Sequence, residues 1–289
     1  MFMNVYLVID MEGIGGVTHG SMIRTGHVEW RERGTRLMTA EANAAIEGAF
    51  QGGATSVIVK DGHDSGQNIR REDLDSRAEL ITGNSVTVGL MPGMDSTFDK
   101  LFLMGFHAKM GTRFGQFDHT ISTATISNLS INDIVVGEIG LYGIYAGFYD
   151  VSVALTTGDG PAVEESQELF GDHQGVAVKQ GLGRFAVRTF NPDKILTDIT
   201  QGAKKAMNVG APPMKVESPV SISIDFLRSA EADMAEMVPG SVRTSARNVQ
   251  YTHSDPDIAF QGLQAMVSLA GVAASRWASG LYKSGDAVV

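Results

Sequence analysis

Five acidic and histidine residues in the first half of the chain have the types and positions of metal ligands. Asp10, His63 and His107 each come within three residues after a short apolar run that predicts a buried strand. The carboxyl ends of neighbouring strands in an open α/β sheet meet at one edge, so we expect these side chains to lie together. Glu12 follows at two residues from Asp10, and Glu138 begins a predicted helix that could reach the same edge.

The donor types indicate which metal such a site would take. Carboxylate and imidazole donors in a chain with no cysteine favour zinc, with manganese or cobalt as alternatives. A single catalytic zinc needs only three protein ligands, so five candidates predict two divalent ions bridged by one carboxylate. The charges of Asp10, Glu12, Glu138 and a bridging hydroxide match those of two such ions. Taken singly, Asp10 and Glu12 could instead cap the following segment, and only the coincidence of donors at one edge favours metal.

The elements that must position these residues follow from the apolar pattern. We predict strands at residues 5–9, 56–60, 100–104 and 151–156, with helices at 29–50, 137–149 and 161–170. Such alternation predicts an α/β fold of three layers, a sheet with helices on both faces. Asn132-Asp133, between two short apolar runs, predicts a β-hairpin, which would make the sheet mixed.

The regular alternation of predicted strands and helices ends near residue 190, where we place a domain boundary. A helix at 192–207, a strand at 220–224 and a long helix at 255–276 indicate a smaller α+β unit. We therefore predict an α/β metal-binding catalytic domain at 1–190 and a smaller α+β domain at 191–289, with oligomerisation as its candidate role. Residues 284–289 are predicted to be frayed.

Composition and motifs exclude several classes of function. A net charge of −10 disfavours nucleic acid and anionic membranes, and no apolar run approaches the length of a membrane span. The start of the chain lacks the pattern of a signal peptide, so we expect a cytoplasmic protein. Gly13-Ile-Gly-Gly16 lacks the third glycine of a dinucleotide loop, and there is no Walker A, G-x-S-x-G or H-E-x-x-H motif.

Several motifs together resemble the D-aminopeptidase family of two-metal peptidases, typified by dipeptide-transport-associated enzymes. They are Val8-Ile-Asp-Met-Glu-Gly13, Asp61-Gly-His63, Gly105-Phe-His-Ala108, Asp118-His-Thr120, Asn132-Asp-Ile-Val-Val-Gly-Glu138 and Ala177-Val-Lys-Gln180. The chain departs from the family pattern at Val8 and Asp118, which replace serines, and at Gly160, where a second aspartate is common. None of these departures falls on a candidate ligand, so they put the exact substrate in doubt more than the metal site.

The resemblance implies roles for particular residues. It implies that Asp10, Glu12, His63, His107 and Glu138 bind the two metals, with Asp10 bridging, and that His119 is catalytic. From sequence alone His119 is a loop histidine, and whether it acts as base, acid or oxyanion stabiliser stays open. The resemblance also implies a homo-oligomeric ring, decameric in the family, with active sites facing an internal channel.

These observations predict a metallo-aminopeptidase that hydrolyses short peptides with a free N-terminus. A preference for N-terminal D-residues such as D-Ala rests on the resemblance alone, and the residues leave D or L open. Alternatives are a two-metal amidase or phosphoesterase on another small molecule, and a non-catalytic ring-forming binding protein. Lys179 and Arg184 are read as surface cations, with pairing to a peptide carboxylate as the alternative.

Overall fold

The computed structural model describes residues 3–84 and 89–279. The predicted frayed end, residues 284–289, lies outside the described residues. In chain order the strands are β1 Asn4–Ile9, β2 Ser56–Asp61, β3 Glu79–Ile81, β4 Lys100–Phe106, β5 Ile126–Ile131, β6 Ile134–Val135, β7 Ser152–Asp159, β8 Gln174–Gly183, β9 Ala186–Thr189, β10 Val220–Phe226, β11 Val242–Arg243 and β12 Asn248–His253. The α-helices are α1 Thr35–Gln51, α2 Glu138–Gly147, α3 Gly160–Phe170, α4 Pro192–Ala206, α5 Ser229–Ala235 and α6 Pro256–Ser279.

The described residues form two compact units, each with its own sheet. The first comprises residues up to 84, Met91–Asp118 and Glu138–Lys215. Its sheet has the order β3-β2-β1-β4-β7-β8-β9, in which β9 alone is antiparallel to its neighbour. The predicted α/β fold with a mixed sheet is therefore confirmed, although the antiparallel strand is β9 rather than the hairpin.

Central strands of the first unit are buried on both faces. Residues 5–9 of β1 are fully buried, as expected of a strand with parallel neighbours on either side. Val5, Leu7 and Ile9 point into a core shared with α1 and α4, while α2 and α3 pack on β7 and each other. Because β1 pairs in parallel with β2 and β4, the carboxyl ends of these three strands lie at one edge of the sheet.

Helix α4 belongs to the first unit. Asn191 caps its N-terminus by accepting hydrogen bonds from the backbone N–H groups of Asp193 and Lys194, and Pro192 occupies the first turn. Its apolar stripe packs against α1, where Gly48 allows close contact because a Cβ there would lie 2.3 Å from the Thr200 carbonyl oxygen. The first unit therefore extends to Lys215, which differs from the predicted boundary at residue 190.

The second unit is an antiparallel sheet with two helices, built mainly from His119–Gly137 and residues 216–279. Its strand order is β11-β12-β10-β5-β6. Strand β10 alternates fully buried Val220, Ile222, Ile224 and Phe226 with half-buried polar residues, so one apolar face is covered by α5 and α6. The predicted hairpin is present as β5 and β6, but β5 pairs with β10 of the second unit and not with the first sheet.

Helix α6 differs from one expectation. By length and mean hydropathy, residues 256–276 are apolar enough to cross a membrane, contrary to the prediction that no apolar run approaches that length. About 39% of this window is buried in the protein, through contacts with α5, β10 and β12. A core helix passes the same hydropathy criterion, so the finding is weak evidence for a membrane span.

Candidate metal centre

The turn that follows β1 is hydrogen-bonded to the end of β4 through backbone groups. The Asp10 N–H donates to the Met104 carbonyl at 2.8 Å, and the Gly13 N–H donates to the Gly105 carbonyl at 2.7 Å. Only glycine fits this approach, because a Cβ on Gly13 would lie 1.9 Å from the Phe106 oxygen and Gly105 has a φ of +63°. The backbone thus brings Asp10 and Glu12 beside His107.

The turn after β2 is organised by a buried carboxylate. Asp61 accepts hydrogen bonds from the backbone N–H groups of Asn68 and Ile69, at 2.5 and 2.8 Å, and from the Asn68 side chain at 2.8 Å. The same Asn68 amide donates to the His63 carbonyl at 2.7 Å. This network fixes the backbone from which the His63 ring extends.

The five candidate ligands converge at the carboxyl edge of the first sheet. His63 Nδ1 lies 3.2 Å from Asp10 Oδ1 and 2.9 Å from Glu12 Oε2. His107 Nε2 lies 3.4 Å from Asp10 Oδ2 and 3.3 Å from Glu138 Oε1. Each oxygen of Asp10 therefore faces a different histidine, and each histidine faces one further carboxylate.

Hydrogen bonds on the far side of each ring decide which nitrogen faces the carboxylates. His63 Nε2 lies 2.8 Å from the Ile23 carbonyl oxygen, and His107 Nδ1 lies 3.0 Å from that of Ala108. A carbonyl only accepts, so those nitrogens carry a hydrogen, and in the neutral rings the lone pairs of His63 Nδ1 and His107 Nε2 face the cluster. Metal-binding histidines are oriented in this way in proteins.

Burial and neighbouring charges shift the pKa values of the carboxyl and imidazole groups in this cluster. Burial, with a smaller contribution from Glu12, raises the pKa of Asp10 to about 7. Burial alone would lower the pKa of His107, but the charges of Glu138 and Asp10 outweigh it and raise that pKa to about 10. The same balance, set mainly by Glu12, raises the pKa of His63 well above its usual value. Crowded carboxylates of this kind are stabilised by cations.

The residues present fit divalent metal ions. Asp10 Oδ2 is buried and has no hydrogen-bond donor among the described residues. Ligand atoms of Asp10, Glu12 and His107 all lie within 4.8 Å of one another. A buried acceptor without a donor is rare unless an ion or water satisfies it, so the cluster has the chemistry of a metal site.

A buried lysine supports the loop that carries Glu12, and the sequence interpretation of it was wrong. Lys179 is fully buried rather than on the surface, and its Nζ donates to the carbonyls of Glu12, Ile14 and Val17 at 2.5, 3.0 and 2.9 Å. Burial lowers its pKa to about 8. The available signal was its place in an apolar strand pattern, where an unpaired lysine is uncommon.

The remaining predicted residues lie as follows. His119 is half-buried and belongs to the second unit, at the start of the segment that leads into β5. Asp118, just before it, accepts hydrogen bonds from the Gly111 N–H at 2.7 Å and from Arg184 at 2.5 Å. Arg184 is therefore already paired within the chain. Asp118 therefore anchors the segment that precedes His119.

Comparisons with known proteins identify the family of this chain. A family model described as D-aminopeptidase matches residues 3–265. A D-aminopeptidase of Bacillus subtilis (strain 168) is 35% identical over 272 residues, which covers 93% of this chain and 98% of the relative. A solved structure, the zinc-dependent D-aminopeptidase DppA from Bacillus subtilis, described as a self-compartmentalizing protease, superposes with a TM-score of 0.89 at 33% identity. It covers 93% of this chain and 98% of that one.

Proposed function

Because this chain belongs to the D-aminopeptidase family, we propose that it is a zinc-dependent aminopeptidase that removes N-terminal D-residues such as D-alanine from short peptides. The observation that carries the proposal is the position of Asp10, whose two oxygens face His63 and His107 separately at 3.2 and 3.4 Å. This arrangement suits a carboxylate shared by two metal ions.

The proposed ligands divide into two groups around Asp10. His63 and Glu12 would complete the site of one ion, and His107 and Glu138 would complete that of the other. The contacts of 2.9 Å from His63 to Glu12 and 3.3 Å from His107 to Glu138 support this division. When bound, zinc supplies a Lewis acid for the scissile carbonyl and a water molecule of lowered pKa.

The chain's own residues hold and orient the reacting groups. Hydrogen bonds to the Ile23 and Ala108 carbonyls keep His63 and His107 in the tautomers that the ligand role needs. Lys179 holds the loop of Glu12 through three carbonyls. The carboxylates of the cluster could also receive the free α-amine of a peptide, which is the recognition element of an aminopeptidase.

His119 is the proposed proton-transfer group. Its support is the Asp118-His-Thr120 motif shared with the family, in a loop whose preceding residue is tied to Arg184 and Gly111. Its imidazole would move a proton between the attacking water and the leaving amine, or donate a hydrogen bond to the developing oxyanion.

A metal and substrate panel tests the proposal. The purified protein should contain about two zinc ions per chain. It should hydrolyse D-Ala dipeptides faster than matched L-Ala dipeptides, and N-acetylation should abolish turnover because the amine then loses its charge. Equal turnover of acetylated peptides would exclude an aminopeptidase, and faster turnover of L-Ala peptides would exclude the D-preference.

We propose a homo-oligomeric ring, with a decamer as the specific prediction, in a cytoplasmic protein. The self-compartmentalizing relative supports assembly. Within the second unit, Met237 is 66% exposed and Val242 is 59% exposed, and such apolar residues suit burial between subunits. Light scattering should give about ten times the chain mass of 30.8 kDa. A fully active monomer would contradict the ring.

A further inference from the structure

A cavity of about 550 Å³ lies in the first unit, along the segment that follows the Glu12 loop. Its polar lining includes Arg24, His19 and His27, and its apolar wall is made by Phe117 and Phe185. Those two rings meet edge to face, with centroids 6.4 Å apart. No acidic side chain lines the cavity within the part of the chain described.

The polar groups of this cavity are hydrogen-bond donors. His19 Nδ1 accepts the Ser21 N–H at 3.2 Å, and His27 Nδ1 accepts the Glu29 N–H at 3.2 Å. Nε2 must therefore carry the hydrogen in both rings, so each can donate. Among the described residues none forms an ion pair with the exposed Arg24 guanidinium. Three donors in a lining that contains no acidic side chain form a site for an anion.

Two contacts hold Arg24 against the loop of the metal ligand His63. The carbonyl of Ile23, just before Arg24, accepts from His63 Nε2 at 2.8 Å. Thr25, just after it, donates to the Asp64 carboxylate at 2.5 Å. His63 Nδ1 also lies 2.9 Å from Glu12 Oε2, so one histidine ring separates the Glu12 carboxylate from the backbone next to Arg24.

We propose that this cavity binds the C-terminal carboxylate of a short peptide whose last side chain is apolar. Arg24, with the Nε2–H groups of His19 and His27, binds the carboxylate, and Phe117 and Phe185 pack on the side chain. The amine end lies at the metal cluster. This inference rests on the proposed function and extends it, because it assigns the group that receives the carboxyl end of the substrate.

Paired substrates test the carboxylate contact. The probes are D-Ala-Phe with a free carboxylate and the same dipeptide as its C-terminal amide. The native enzyme should have a KM roughly 10-fold lower for the acid, since a charge-assisted hydrogen bond forms only there. Arg24→Gln should raise KM for the acid roughly 10-fold without changing kcat, and should leave the amide unaffected. Arg36→Gln, an exposed arginine on α1, is the matched control and should change neither.

A second variant tests the apolar wall. Phe185 is 78% exposed, so Phe185→Ala should not disturb folding. The variant should show a roughly 10-fold smaller preference for D-Ala-Phe over D-Ala-Gly, because the substrate's large apolar side chain is then no longer buried against Phe185. If the native enzyme cleaves acid and amide equally well, or if Arg24→Gln weakens both, the subsite is wrong while the aminopeptidase stands. If neither peptide is cleaved, both proposals fail.

Discussion

Replacing the buried lysine tests how the loop of Glu12 is positioned. Lys179→Met keeps the length and apolar stem of the side chain but removes three hydrogen bonds, to the carbonyls of Glu12, Ile14 and Val17. Each is worth about 1 kcal/mol net, and the carbonyls are left without this donor, so we expect a loss of about 3 kcal/mol in folding free energy. Because Glu12 O is one acceptor, zinc affinity should also fall roughly 10- to 100-fold.

The pH dependence of this effect has a definite sign. Burial lowers the folded-state pKa of Lys179 to about 8, below the usual 10.5. Between these values the unfolded chain binds more protons, so the native protein gains stability from this group as pH rises. Lys179→Met lacks that group. The stability difference between native protein and variant should therefore grow between pH 8 and 10.

The assay separates structure from metal binding. Urea unfolding of the metal-free proteins gives the folding free energy, and competition with a chelating dye gives the zinc affinity. Lys204→Met, an exposed lysine of α4, is the control and should change neither quantity. Unchanged zinc affinity in a destabilised Lys179→Met protein would refute the positioning role. If the stability difference between native protein and Lys179→Met instead shrinks as pH rises, the hydrogen bonds to the three carbonyls stabilise the charged lysine by more than burial destabilises it.

Three further predictions concern the metal centre. His107→Ala should lose zinc and activity together, whereas His119→Ala should keep its zinc and lose on the order of 10²–10⁴ in rate; loss of metal in the second variant would reject its assigned role. Carboxylates raise the pKa of His107 to about 10, and that of His63 well above normal, so both rings hold protons in the metal-free protein at neutral pH. Zinc binding should then release protons and tighten at least about 10-fold from pH 6 to 7, measurable by calorimetry in buffers of different ionisation enthalpy; an affinity independent of pH would contradict this. Gly13→Ala places a Cβ 1.9 Å from the Phe106 oxygen and should abolish zinc binding, while Gly20→Ala, with nothing within 4 Å, should leave it intact; equal zinc binding in the two variants would count against the close-approach argument.

Local pattern was sufficient for most elements of this fold. The apolar run before Asp10 is buried on both faces as β1, and the Asn132-Asp133 signal forms the turn of a hairpin, with φ values of 46° and 66°. Both features depend on residues adjacent in sequence, so periodicity and turn chemistry were enough to predict them.

The pairing of distant segments was decided only by the tertiary structure. Strand β5 pairs with β10, and α4 packs on α1, so the chain crosses between units in a way that a single boundary at residue 190 does not describe. No local signal specifies which of several apolar faces a strand or helix will cover.

For the candidate site, too, the sequence predicted which residues lie together, and the tertiary structure decided their contacts. That Asp10, His63 and His107 would share an edge followed from the sequence, because parallel strands place their carboxyl ends together. Only the packed structure decides that each oxygen of Asp10 faces a different histidine, and that Lys179 is buried under the Glu12 loop. Such contacts join residues as many as 167 positions apart, and their geometry depends on side-chain packing that residue types and spacing do not specify.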